Sequence, residues 1–486
     1  MERSDRRGPR SSGGRSAAYD GAVVLLEDPF HRYATDLIEH VHRKYGIRSV
    51  VYYTDADEMR FLAPDHPTLR GPAIAASYVV GRDEIRDFVP VLRERHDVRA
   101  VLPHAEPTVA GLAQIAEQLG LGWAQPGVIE RFRDKHALKA HLRSVPGAPR
   151  INAVARVRTR AEIEAAYSTG EFGRFVLKPN DGFGNSLIGF FDADDLGRPL
   201  DDYLTELGGR QLVMEDYIGG VEYFANGQID GRGAVTVTEV TRAVRGEFNG
   251  RENVSLGYLS VRTGDPVFAT IVDYVTALMT ATGLRRSPFH LELKVDDRGP
   301  CLIEVAARHC GNLHVYDTDE MHGRLDSLGL SAHYYLSDDD YGDVGLDWPR
   351  YDEAIWGHVN GVSTSACRVN SLSGLEEVES WSGFVRWLDR PTIGKRMVPT
   401  VDLFQQAWLA TIRVSSEQEY DERAQWMHDT VRWNLPASRP VTALRSAAAL
   451  VPPVRRRLRH EWHRVVPAVR TTAWRSGSGS VAVVSP

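Results

Sequence analysis

Residues 290–308 read HLELKVDDRGPCLIEVAAR. Asp296-Asp297-Arg298-Gly299 is turn chemistry between two apolar runs, so the segment predicts an antiparallel hairpin. A turn centred on Arg298 sets Glu292 and Glu304, each six residues away, directly opposite and on one face. Opposed like charges destabilise a strand pair. At an effective dielectric near 20, the repulsion is about 4 kcal/mol at ~4 Å. Such a pair persists if a cation sits between the carboxylates, if one is protonated, or if both are solvated. Leu291, Leu293, Val295, Leu302 and Ile303 argue for a buried hairpin and against full solvation. Hard carboxylate oxygens with a cation between them suit Mg²⁺.

Upstream, RFVLKPNDGFGNSLIGFF (174–191) delivers Lys178 on a strand and then a glycine-rich loop with Gly182, Gly184 and Ser186. Glycines let backbone N–H groups approach phosphate oxygens. Lys178 adds a point charge to them. This is not a Walker A loop, and Leu187 stands where a GxGxxG pattern needs its third glycine. Removing a lysine beside such a loop is expected to leave thermal stability almost unchanged. Next, QLVMEDYIGGVEYFANGQID (211–230) carries Glu215 at a strand end and Glu222 seven residues later. Met214, Tyr217 and Ile218 offer an apolar slot for a purine, and Glu222 a carboxylate for ribose hydroxyls. Taken singly, these segments are also ordinary hairpins with exposed acids.

Their order resembles the ATP-grasp superfamily, closest to its carboxylate–amine ligases that make dipeptides and related amides; the resemblance runs over about 20–340. It implies Lys135 (in DKHALKAHL) and Lys178 as nucleotide lysines, and Gly182, Gly184 and Ser186 as the flap over the phosphates. Glu215, Tyr217 and Ile218 would meet adenine, Glu222 the ribose, and Glu292 and Glu304 the metal. The family's last strand often reads E-x-N-x-R; here Ala306 replaces the asparagine ligand while Arg308 remains. Asn312 and His309 are the candidate substitutes. Lys178 and Arg308 become the catalytic pair, the guanidinium fork suiting a carboxylate or acyl phosphate. The cofactors implied are ATP and Mg²⁺, or Mn²⁺ in its place. The substrates implied are a small carboxylate and an amine, amino acids first. Rival readings are another ATP-grasp reaction such as carboxylation, or a nucleotide-binding scaffold that has lost catalysis, for which Ala306 is the motive.

The rest of the chain frames these motifs. Strands near 22–26, 49–54, 73–80 and 99–103 alternate with helical stretches at 33–45, 83–95 and 107–119, which predicts a parallel α/β sheet. The expected organisation is a disordered arm (1–19) and a Rossmann-like pre-ATP-grasp domain (20–125). An α+β ATP-grasp domain (126–340, flap subdomain about 145–215) and a C-terminal subdomain (341–435) follow, then a mobile basic tail (436–486). RFRDKHALKAHLRSV (131–145) reads as one helix, and 420–433 as another. Glu106 is placed to face substrate or to cap a helix, and His290, His309 and His314 cluster too loosely for a zinc motif. Three cysteines without a CxxC pair suit a reducing, cytoplasmic setting. With 42% hydrophobic and 25% charged residues and a net charge of −7, the chain has no global basic field for nucleic acid. No stretch is apolar enough for a membrane span or a signal peptide. The tail's arginines read first as a solvated or loosely docked helix and second as a contact for an acidic partner or membrane face, and a homodimer is left open.

Overall fold

The computed structural model describes residues 21–27, 32–53, 71–80, 87–103, 106, 108–122, 125–180, 182, 187–311, 314–337, 339, 341–402, 405–434 and 482–483. The first unit alternates β1 (Ala22–Glu27), α1 (Arg32–Tyr45), β2 (Arg48–Tyr53), β3 (Ile74–Val79), α2 (Val89–Arg95), β4 (Asp97–Leu102) and α3 (Val109–Gln118). β1 pairs in parallel with β2 and β4, and β2 with β3, so the order is β3-β2-β1-β4. Val24, Leu25, Val50, Val51 and Val101 are fully buried, as near-continuous apolar strands between helices require. The strand order reverses between β1 and β4, and open α/β sheets bind ligands outside the carboxyl ends at such a reversal. Glu106 lies just beyond that end of β4.

The single helix expected over 131–145 is two: α4 (Pro126–Arg133) and α5 (Lys135–Ser144). Asp134 leaves the helical region (φ −107°, ψ 98°) and its side chain accepts the Ala137 N–H, an N-cap that restarts the helix. This kink aims Arg133 and Lys135 in different directions.

A small four-stranded sheet follows, built from β5 (Val154–Val157), β6 (Phe175–Pro179), β7 (Gly189–Phe191) and β8 (Leu212–Asp216), with helices α6 (Arg160–Tyr167) and α7 (Arg198–Leu207). Its core holds Phe175, Leu177, Leu200, Leu212 and Met214. The main sheet has eight strands. β9 (Val221–Ile229), β10 (Val235–Phe248) and β11 (Arg251–Ser260) lead to α8 (Pro266–Thr282), then β12 (Ser287–Asp296) and β13 (Gly299–Ala306). Helices α9 (His314–His322) and α10 (Ser327–Leu336) precede β14 (Ile355–Gly361), β15 (Phe384–Asp389), β16 (Trp408–Val414) and α11 (Glu417–Thr430). The order is β13-β12-β9-β10-β11-β14-β16-β15, so strands from the 341–435 stretch continue the sheet that carries the glutamates. One core joins this sheet to the parallel unit through α5 and α8, with Leu138, Ile271, Leu291 and Leu302 in it. The helix expected at 420–433 ends at Thr430, and Arg432–Trp433 is extended. β11 escaped the sequence reading, because its polar opening (RENVS) hides the period-2 pattern.

The arm and nearly all of the tail lie outside the described residues. Ala482–Val483, here β17, pairs antiparallel with β3.

Candidate active site

The hairpin β12–β13 sets Glu292 opposite Glu304. The route to that register differs from the expected one. Asp296 pairs with Gly299, so the turn is Asp297-Arg298, centred half a residue early, and a bulge between the Glu292 and Leu293 pairs restores the alignment. The repulsion inferred from sequence is offset by protein cations. Lys135 Nζ lies 3.1 Å from Glu304 Oε1, and His290 Nε2 lies 3.5 Å from Glu292 Oε1. Burial opposes ionisation of Glu292, but His290, Arg245 and Lys178 outweigh it and hold the carboxyl down at about 2.

Lys178 and Glu215 meet across the small sheet. β6 and β8 pair with Val176 opposite Glu215 and Lys178 opposite Val213, so these side chains share one face. The alternate residues, Phe175, Leu177 and Met214, fill the core behind it. Met214 is therefore no wall of a purine slot: the strand's alternation turns it away. Glu215 receives two lysines, Lys178 Nζ on Oε1 at 3.0 Å and Lys139 Nζ on Oε2 at 2.6 Å. Burial would raise its pKa, but the two ammoniums pull it down to about 2. Burial also pushes Lys139 down, whereas for Lys178 the field of Glu215, Glu304 and Glu292 prevails over burial and raises it.

A cleft opens between the two sheets. Val176, Ile188, Phe190, Tyr217 and Ile218 give it apolar walls, while Lys178, Glu215, Glu222 and Glu292 give it charge. Tyr217 is held between Arg174 (4.7 Å from the ring centroid) and Lys294 (4.8 Å). Glu222 is buried, and its Oε1 accepts from Arg245 Nε at 3.0 Å and from Arg245 Nη2. Lys135 Nζ also donates to the carbonyl of Gly182, tying α5 to the glycine-rich loop. Gly184 and Ser186 lie outside the described residues, as does Asn312.

Beyond β13, Arg308 meets the parallel unit. Its Nε is 2.6 Å from Glu106 Oε2, and Arg133 Nη1 is 2.6 Å from Glu106 Oε1. Burial works against ionising Glu106, but Arg308, Arg133 and Lys135 hold its carboxyl below the usual range. Ala306 is buried opposite His290 and offers no ligand. The three histidines take separate partners: His290 Nδ1 faces Asn226 Oδ1 at 2.7 Å, His309 Nε2 faces Ser331 Oγ at 2.8 Å, and His314 Nδ1 lies 3.1 Å from Glu239. His309 thus pairs with α10. Among the described residues, no group of three or more His, Cys, Asp or Glu is placed to hold a metal. Two carboxylates nevertheless fit Mg²⁺, which takes one or two from protein and completes its shell with phosphate oxygens and water.

Sequence reasoning missed Lys139, Arg133 and Arg245. Lys139 carried a signal: it sits four residues after Lys135, beside Leu138 and Leu142 on the buried side of an amphipathic helix. Arg245, far along a strand, carried none.

The chain is similar to known proteins over this region. A family model described as an ATP-grasp domain matches residues 198–317. Dapdiamide A synthase of Enterobacter agglomerans is 27% identical over 167 residues, covering 32% of this chain and 38% of that protein. An uncharacterized protein of Sinorhizobium fredii is 27% identical over 230 residues, 46% of this chain and 45% of its own length. The chain thus spans less than half the length of these curated relatives. Among solved structures, the L-amino acid ligase from Bacillus licheniformis superposes with a TM-score of 0.67 at 19% identity, over 86% of this chain and 99% of that one. The biotin carboxylase domain of the Hydrogenobacter thermophilus 2-oxoglutarate carboxylase, a dimer in complex with MgADP and bicarbonate, gives 0.61 at 16%, over 85% and 90%. At these identities the superpositions speak for the fold alone. Residues 198–317 therefore match an ATP-grasp domain, and the chain shares its fold with the L-amino acid ligase.

Proposed function

We propose that the protein is an ATP-dependent carboxylate–amine ligase that forms an amide bond through an acyl phosphate and releases ADP and phosphate. The observation that carries this reading is the arrangement of charge. Two opposed carboxylates, Glu292 and Glu304, stand among cations from three different segments: Lys178 lines the cleft with Glu292, Lys135 pairs with Glu304, and Arg308 pairs with Glu106. Phosphoryl transfer needs little covalent help from a protein; it needs positioning and compensation of charge, which such an array supplies. Lys178 is suited to the transferring phosphate, Arg308 to the substrate carboxylate or acyl phosphate, and Tyr217, Ile218 and Glu222 to the nucleoside. Glu292 and Glu304 would hold Mg²⁺, or Mn²⁺, which when bound neutralises the phosphate oxygens. Closure of the glycine-rich loop after Lys178 would exclude water from a species that hydrolyses readily. The amine then attacks the acyl carbon and phosphate leaves.

Amino acids are the acid and amine of this proposal, in line with the motif resemblance to ligases that make dipeptides. Cytoplasmic placement and a two-copy assembly belong to the same proposal; no helix among the described residues is long and apolar enough to cross a membrane. Ala306 favours a second reading, a nucleotide-binding scaffold without turnover. A screen of amino-acid pairs for phosphate release decides between them. The ligase reading expects ADP and phosphate only when acid and amine are both present. Nucleotide binding without amine-dependent release would favour the scaffold, and bicarbonate-dependent release a carboxylase.

A further inference from the structure

Helix α5 carries two lysines one turn apart, so they share a face. The structure divides them between two carboxylates. Lys135 reaches Glu304 on the metal strands, while Lys139 reaches Glu215 on β8 and, at 2.9 Å, Asn152 Oδ1. The Lys139 side chain is 2% exposed, against 4% for Glu215 and 6% for Lys178. Burying a lysine this completely is costly unless it is paired. A nucleotide lysine already sits on the same carboxylate, so the second ammonium is not needed to satisfy Glu215 alone.

The charge count explains it. Glu215 and Lys178 by themselves form a neutral pair, and the carboxylate would screen the ammonium from any anion in the cleft. Because each Glu215 oxygen is taken by a different lysine, the group of three carries one net positive charge. Glu215 and Lys178 line the cleft, and Lys139 stands behind Glu215. We infer that Lys139 is a positioning residue for phosphate binding: it fixes and neutralises Glu215 from the protein interior, so that Glu215 does not cancel the charge that Lys178 presents to the phosphates. This rests on the reading of the cleft as a nucleotide site.

A double-mutant cycle tests it, with the Kd of MgATP measured by calorimetry on the full chain and folding followed by circular dichroism. Lys139→Met keeps the unbranched stem and removes the charge. In the Glu215 background it is expected to weaken MgATP binding roughly 10-fold or more, the worth of a charge-assisted contact. In a Glu215→Gln background there is no carboxylate to neutralise, and the same substitution should change Kd by less than about 2-fold. An equal loss in both backgrounds, or none in either, would overturn the inference. If Lys139→Met alone does not fold, Glu215→Gln and the double variant still decide, because a tenfold difference between those two contradicts the charge argument. A wild-type protein that binds no MgATP would sink the nucleotide reading itself, and is distinguishable from a wild type that binds while the cycle shows no coupling.

Discussion

At the scale of single residues, the site is a set of charges each held by a neighbour. Lys178 illustrates the difference from the sequence reading. Beside a glycine-rich loop, its removal is expected from the sequence to leave stability almost unchanged. In the structure it is buried and shares Glu215 with Lys139. Lys178→Ala is therefore expected to cut ATP turnover roughly 10–150-fold, through loss of a charge-assisted phosphate contact. It should also lower the melting temperature. The loss stays below the about 3–5 kcal/mol of a broken buried pair, because Lys139 still compensates Glu215. Steady-state ADP release and a thermal melt on the same preparation check both. Unchanged ATP kinetics would remove Lys178 from the site.

At the scale of elements, the hairpin β12–β13 is where sequence reasoning reached furthest. The apolar alternation and the Asp-Asp-Arg-Gly turn specify two strands, and the pairing of Glu292 with Glu304 holds although turn centre and bulge each differ from the simple register. Two of the compensating cations were not legible as partners of this pair, because Lys135 comes from a helix and Arg245 from another strand. The break at Asp134 was visible only as a capping residue inside a helical pattern, and the 3.6-residue period ran through it. Strand faces are easier: once 175–179 is a strand, Lys178 and Leu177 must point to opposite sides. These cations change what a hairpin variant should do. Glu304→Gln removes one of two opposed charges, but it also takes a partner from Lys135, whose ammonium is buried. Turnover dependent on Mg²⁺ should be lost, while metal-free stability falls slightly. The fall stays under about 1–2 kcal/mol, since Glu304 keeps 29% exposure and Lys135 also donates to Gly182. Full activity in this variant, measured by ADP release over an Mg²⁺ titration, would show that Glu304 is no ligand. A rise in metal-free stability would show that repulsion from Glu292 outweighs the pair with Lys135.

At the scale of the whole molecule, the parallel unit and the large antiparallel sheet meet at Glu106. Its carboxylate, just beyond the end of β4 where the strand order reverses, joins Arg133 at the end of α4 to Arg308 after β13. A buried carboxylate between two guanidiniums fixes the relative position of the segments that carry them. On the proposed reading, the Arg308 fork is thereby held in place for a phosphorylated carboxylate that is kept from water until an amine arrives. The direct test is the fate of that intermediate. Wild-type protein is incubated with ATP, Mg²⁺, hydroxylamine and single amino acids as acid substrate, and both nucleotide and acyl products are measured. The account predicts an acid-dependent hydroxamate formed together with ADP. An active enzyme that releases AMP and pyrophosphate, or that turns over acid and amine while hydroxylamine captures nothing, would contradict it.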